Sequence, residues 1–175
     1  MIFVPLCLCV EAALSSPFFD LNIPKTHQEE LAMAVKPIPE GYHSVTPYMI
    51  GNASKVLDFV KAVFDAKETL RMPGPNGMIG HAEFRIGDSN LMISDGGSEW
   101  PAMPCSLYVY VPDVDEAYKR ALAAGATSLK EPADQFYGDR SASVRDAAGN
   151  IWGIGTHVED VPPDELERRA KAAMK

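Results

Sequence analysis

The chain has 175 residues, 46% hydrophobic and 23% charged, with a net charge of −8, enough for one compact domain or two small modules sharing a core. No Lys/Arg stripe is present, which argues against nucleic acid as a partner, and no run reaches the ~18 apolar residues of a membrane span. Three cysteines, Cys7, Cys9 and Cys105, without Cys-x-x-Cys or Cys/His spacing, exclude a disulfide framework and a zinc finger and fit a reducing cytoplasm.

Residues 1–34 read as a leader outside the folded domain, either disordered or translated from a misassigned start. The apolar run MIFVPLCLCV lacks a basic flank and meets Glu11 at once, unlike a secretory signal. Met33 is the better start, because codons for Gln28-Glu29-Glu30 can spell a ribosome-binding site just before it.

The proline-rich lead-in Lys36–Gly41 precedes a strand in HSVTPYMI. Asn52 can cap a helix whose Val56, Leu57, Val60, Val63 and Phe64 recur at helical spacing, and Asp65-Ala66-Lys67 ends it. Met72–Gly77 is a turn. His81, Glu83 and Arg85 then alternate with Ala82, Phe84 and Ile86, the mark of a half-buried strand. Gly87-Asp88 turns a hairpin, Asn90–Ser94 returns, and Gly96-Gly97-Ser98 begins a linker.

The same order then repeats roughly sixty residues later. Ser106, Tyr108 and Tyr110 share one strand face, and Leu107, Val109 and Val111 the other. Asp113 and Glu116 fit a capping box, Gly125 a helix stop, and Asp146–Asn150 a hairpin turn. A charged, solvated tail helix starts at Pro162-Pro163-Asp164, with partial docking by Leu166. The fold class is therefore α+β: two tandem βαβββ modules forming a cupped mixed β-sheet with helices on the convex side. The domain spans 35–158, with module 1 at about 43–96, module 2 at about 103–157, and a C-terminal helix over 159–175.

The stretches TPYMI, HAEFRIGDSNLMISD, VPDVDEAYKRALAAGA and DQFYGDRSASVRDAAGNIWGIGTHVEDV together resemble the vicinal oxygen chelate superfamily, which includes glyoxalase I, extradiol dioxygenases and bleomycin-binding proteins. They are most similar to its PhnB-like branch, over about Val35 to Glu167. The resemblance implies a site in the hollow of the sheet, a homodimer, and, in metal-dependent members, ligands on the first and last strands of each module. Carried over one by one, those seats fall on Val45, on Ile93 within one residue, on Ser106 and on Gly153. Valine, isoleucine and glycine bring no side-chain donor and serine a poor one, so the expectation is no metal and no cofactor. An alternative is a displaced metal site involving His81 and Glu83, which share a strand face, with His43 and His157 as further donors.

If those seats mark the hollow, alternation lines it with Val45, Pro47, Met49, Leu91, Ile93, Ser106, Tyr108, Tyr110, Gly153 and Gly155, and Tyr137 and Arg140 come from the loop beside it. Apolar walls with two tyrosines suit a small, partly aromatic ligand, and sequestration of a toxic or antibiotic-like compound would be one use. Two rival readings remain: a glyoxalase-type lyase or isomerase using the displaced site, and a scaffold protein with a filled cavity. No Gly-rich nucleotide turn supports a methyltransferase.

Overall fold

The computed structural model describes residues 35–174, so the expected leader lies outside the described residues. The first module runs β1 (Tyr48–Gly51), α1 (Ala53–Phe64), β2 (Lys67–Pro73), a 3-10 turn (Pro75–Gly77), β3 (Ile79–Ile86) and β4 (Ser89–Asp95). The second runs β5 (Ser106–Tyr110), α2 (Val114–Ala123), β6 (Thr127–Asp134), β7 (Asp139–Arg145) and β8 (Ile151–His157), followed by α3 (Pro163–Ala173). The sheets have the same plan. The orders are β1-β4-β3-β2 and β5-β8-β7-β6, with the first and last strands of each module parallel and the other pairs antiparallel. The fold is α+β, in tandem βαβββ modules, with the mixed sheet divided into two four-stranded halves. An isolated bridge, Ile50 to Met103, ties the first edge strand to the linker.

Local chemistry sets the helix ends. Asn52 Oδ1 accepts from the Lys55 amide at 3.1 Å, and Asp113 Oδ1 from the Glu116 amide at 3.0 Å, each satisfying a donor that the first turn leaves free. α1 stops where Asp65 enters the left-handed region at φ 54°. A second device holds each helix start to its sheet. Asp95, at the end of β4, accepts from the amides of Ala53 and Ile79 at 2.8 and 2.7 Å. At the matching end of β8, Thr156 Oγ1 accepts from the Val114 amide and donates to the Val111 carbonyl, both at 2.9 Å.

Alternation along the strands buries one face. Ala82, Phe84 and Ile86 of β3 and Ala142 and Val144 of β7 join Val56, Leu57, Val60, Val63 and Phe64 of α1 in one continuous core. Burying a side chain such as Phe84 contributes roughly 1.5–3 kcal/mol. Trp152 on β8 is fully buried and crosses between the modules: its ring centroid lies 5.9 Å from Phe59 and 5.4 Å from Phe64, both on α1. The buried Asp146 holds the indole by accepting from Trp152 Nε1 at 2.9 Å, and it also accepts from Asn150 Nδ2 and the amides of Ala148 and Asn150. At the surface Arg120 of α2 reaches Asp65 at 2.9 Å. α3 carries no buried residue, and its Leu166 is at the border of exposure.

Candidate ligand-binding site

The helices cover one face of each sheet, so the other face is where a ligand has access. In the second module Ser106, Tyr108 and Tyr110 of β5 point to this open face, opposite Ile151, Gly153 and Gly155 of β8. The two glycines have a specific local reason. A Cβ added at Gly153 would stand 2.5 Å from Tyr108 Cδ2, and one at Gly155 would stand 2.8 Å from Tyr108 Cζ. The Tyr108 ring thus lies across both glycine backbones and occupies the room their missing side chains leave. Its outer side stays open, with 47% of the residue exposed. Tyr110 meets it at a 63° tilt, with centroids 5.1 Å apart, a favourable edge-to-face arrangement.

Beneath the tyrosines sits Asp139, at the start of β7 and only 4% exposed. Its Oδ2 accepts from the Tyr110 hydroxyl at 3.0 Å and, more weakly, from Tyr108 at 3.4 Å. Its Oδ1 lies 2.9 Å from His157 Nδ1, and His157 Nε2 is 3.0 Å from Asp160. With a carboxylate at each ring nitrogen, His157 is favoured as an imidazolium, and its pKa rises, first through Asp139 and then Asp160. Burial, with the charges of Tyr137 and Asp139, pushes the Tyr108 phenol up to about 12, while the bond to Asp139 raises Tyr110. Both phenols are therefore neutral donors at physiological pH.

The structure brings some of the expected residues together and separates others. Val45, Pro47, Tyr108 and Tyr110 line one cleft of about 410 Å³. Ser106 and Gly153 share the open face of Tyr108. Tyr137 lies edge-on to Phe136 and borders a smaller cleft of about 370 Å³ with His157 and Asp160. Three expectations need correction. Met49 and Ile93, at 3% and 0% exposure, face the core, and Tyr48, Met92 and Ser94 take the open side instead. The strand is one residue out of the assumed register, and each one-residue slip exchanges the two faces. Leu91 shares that parity and is largely buried, yet it still borders the 410 Å³ cleft with Val45, Pro47, Tyr108 and Tyr110. Arg140 also turns to the helix-covered face, where Asp115 of α2 takes its guanidinium in a two-pronged pair at 2.7 and 2.8 Å and Asp134 adds a third bond.

On the first module's open face, His81 Nε2 lies 3.3 Å from Glu83 Oε1, and His81 Nδ1 lies 3.3 Å from the Tyr48 hydroxyl. Tyr42, and less strongly His81, hold the Glu83 carboxyl below the ordinary carboxylate range. The pair is thus engaged with its own neighbours. Among the described residues no group of three or more His, Cys, Asp or Glu side chains is placed to hold a metal ion, so His43 and His157 do not complete a site with them. A cleft of about 810 Å³ beside this face is lined by Tyr48, Ile50, Ser94, Trp100 and Met103. The linker residues Trp100 and Met103 were not anticipated, because an apolar residue in a Gly/Pro-rich connection carries no periodic signal. Asp139 is legible in the sequence only as a loop-orienting or ion-pairing residue beside the turn glycine Gly138, not as the acceptor for two tyrosines. No described helix is long and apolar enough to cross a membrane.

The fold is shared with known proteins. The model of the Glyoxalase/Bleomycin resistance protein/Dioxygenase superfamily matches residues 42–154. Uncharacterized protein Rv0887c of Mycobacterium tuberculosis (strain ATCC 25618 / H37Rv) is 34% identical over 170 residues, covering 89% of this chain and 94% of that one. The crystal structure of TioX from Micromonospora sp. ML1 superposes with a TM-score of 0.55 at 26% identity, over 66% of this chain and all of that one. A PhnB protein from Bacillus cereus gives a TM-score of 0.54 at 19% identity, over 65% of this chain and 99% of that one. The shared plan of two βαβββ modules and the match across most of both modules lead to one conclusion: the chain belongs to the Glyoxalase/Bleomycin resistance protein/Dioxygenase superfamily.

Proposed function

We propose that this protein binds a small, partly aromatic molecule on the open sheet face of its second module and does so without a resident metal ion. The observation that carries the reading is the Tyr108 ring laid over Gly153 and Gly155 with its outer side open. The seats that metal-dependent relatives would use do not fit an ion. Val45 is an exposed side chain ahead of β1, Ile93 is in the core with Met92 and Ser94 beside it, Ser106 offers a hydroxyl, and Gly153 lies under the tyrosine. A homodimer is proposed as well, with a second copy covering the first module's open face, which carries exposed Tyr48 and Met72, and leaving Tyr108 to the ligand. Dimers are frequent in this superfamily, and cytoplasmic residence fits the cysteine usage.

Elemental analysis of protein purified without chelator, paired with thermal shifts against a panel of aromatic ligands, tests the reading. The expected result is far less than one equivalent of zinc, nickel, manganese or iron, together with a shift from at least one aromatic compound. A stoichiometric ion lost on His81→Ala would overturn it in favour of the glyoxalase-type enzyme, for which the His81–Glu83 pair is the supporting observation. A flat response across the panel would favour the scaffold reading, in which Tyr108 simply fills the floor.

A further inference from the structure

We infer that the tyrosine end of the second module's open face selects planar aromatic cations, stacked on Tyr108 with Asp139 as the buried counter-charge. The inference rests on the small-molecule reading above and names its ligand class. It follows from what the two phenols have already spent. The Tyr110 O–H donates to Asp139 Oδ2 at 3.0 Å and the Tyr108 O–H, more weakly, at 3.4 Å, so a ligand meets mainly hydroxyl lone pairs and ring faces. Ring faces are negative, and here a carboxylate lies at the hydroxyl edge of both rings. A cation placed over Tyr108, with Tyr110 as the side wall, is attracted by both rings and by Asp139.

The charged groups on the surrounding elements support the same sign. The Arg140 guanidinium, next in sequence to Asp139, is on the other face and bound to Asp115 and Asp134. His157 of β8 is tied between Asp139 and Asp160, which leaves this end with one more negative than positive charge when the imidazole is protonated. Arg145 of β7 stands six residues from Asp139, about 20 Å along an extended strand. Lys130 of β6 pairs in register with Ser143, about 13 Å along the same strand. An anion at the tyrosine end would therefore meet a buried carboxylate and, among the described residues of these strands, no free cation. The first module does not duplicate this platform. Its matching tyrosine, Tyr48, stands opposite Met92, which carries a side chain where the second module has Gly153, and its polar neighbour is His81.

The test is fluorescence titration of the full chain at neutral pH with three probes on one ring system: 9-aminoacridine (a cation), acridine (neutral) and acridine-9-carboxylate (an anion). The cation is expected to bind at least tenfold more tightly than the anion. Tyr108→Leu should lose at least tenfold for the cation, while Tyr108→Phe, which keeps the stack, should remain within about threefold. Asp139→Asn should abolish the preference for the cation while leaving neutral acridine little changed. Because Asp139 is buried, circular dichroism must first show that this variant folds; the tyrosine variants and the probe ranking on the parent protein decide the matter if it does not. Equal or tighter binding of the anion, or indifference to Tyr108→Leu, overturns the inference and leaves the small-molecule reading standing. Failure of all three probes to bind overturns both.

Discussion

Replacing Asp146 should cost this protein a large part of its stability, although the residue is distant from the ligand face. Its carboxylate accepts four hydrogen bonds, each at 2.9 Å, from Ala148 N, Asn150 N, Asn150 Nδ2 and Trp152 Nε1. Asp146→Ala leaves the last two side-chain donors in the interior without that acceptor, at about 1–3 kcal/mol each. With the loosened hairpin amides included, the expected loss is about 3–6 kcal/mol, set against a total of roughly 5–15 kcal/mol for a domain. Asp146→Asn keeps one acceptor oxygen but turns an NH₂ toward a donor, and should lose about half as much. The decisive measurement is a double-mutant cycle with Trp152→Phe, followed by urea unfolding in far-UV circular dichroism. Removing the indole N–H together with its acceptor should recover about 1–3 kcal/mol of coupling. A loss below about 1 kcal/mol for Asp146→Ala, or strict additivity in the cycle, would refute the argument that this carboxylate is held by its donors.

Gly138 should tolerate no side chain: at φ 97° its added Cβ would run into the Glu159 carbonyl, and Gly138→Ala is expected to lose about 3 kcal/mol in the same urea assay. Stability should also vary with pH in two opposite ways. Arg71, then Lys61, draw Glu68 down to about 2 from 4.5, so its contribution is present above pH 4.5 and lost as pH falls toward 2; Glu68→Gln should flatten the acid side of a plot of Tm against pH. His157 is raised from 6.5, so its contribution is complete below pH 6.5 and disappears as pH rises through the elevated value; His157→Asn should flatten that side, and an NMR titration midpoint of the imidazole at or below 6.5 would contradict the pairing with Asp139.

The elements were legible because their signals are local and redundant. The α1 face from Val56 to Phe64 obeys helical spacing, and all five residues named for it are buried. His81–Ile86 and Ser106–Tyr110 alternate cleanly between polar and apolar, or aromatic and aliphatic, and their faces fall as the alternation dictates. The ligand face was read less well where a strand is apolar on both sides. In Tyr48-Met49-Ile50 and Leu91-Met92-Ile93 every residue could belong to a core, so nothing in the sequence fixes which parity points inward. Arg140 failed for a different reason: its partner Asp115 lies on α2, 25 positions earlier, a distance over which no pattern of spacing operates. Asp139, His157 and Tyr110 likewise meet only because β5, β7 and β8 are neighbours in one sheet.

The Trp152 contact with Phe59 and Phe64 also means that the duplicated halves are not self-sufficient. Each would forfeit an aromatic partner if the chain were cut within the linker, and the second half would lose the surface that seals its largest buried side chain. A chain severed there should regain its structure only when both fragments are mixed, so the repeat behaves as a single cooperative folding unit despite its doubled pattern.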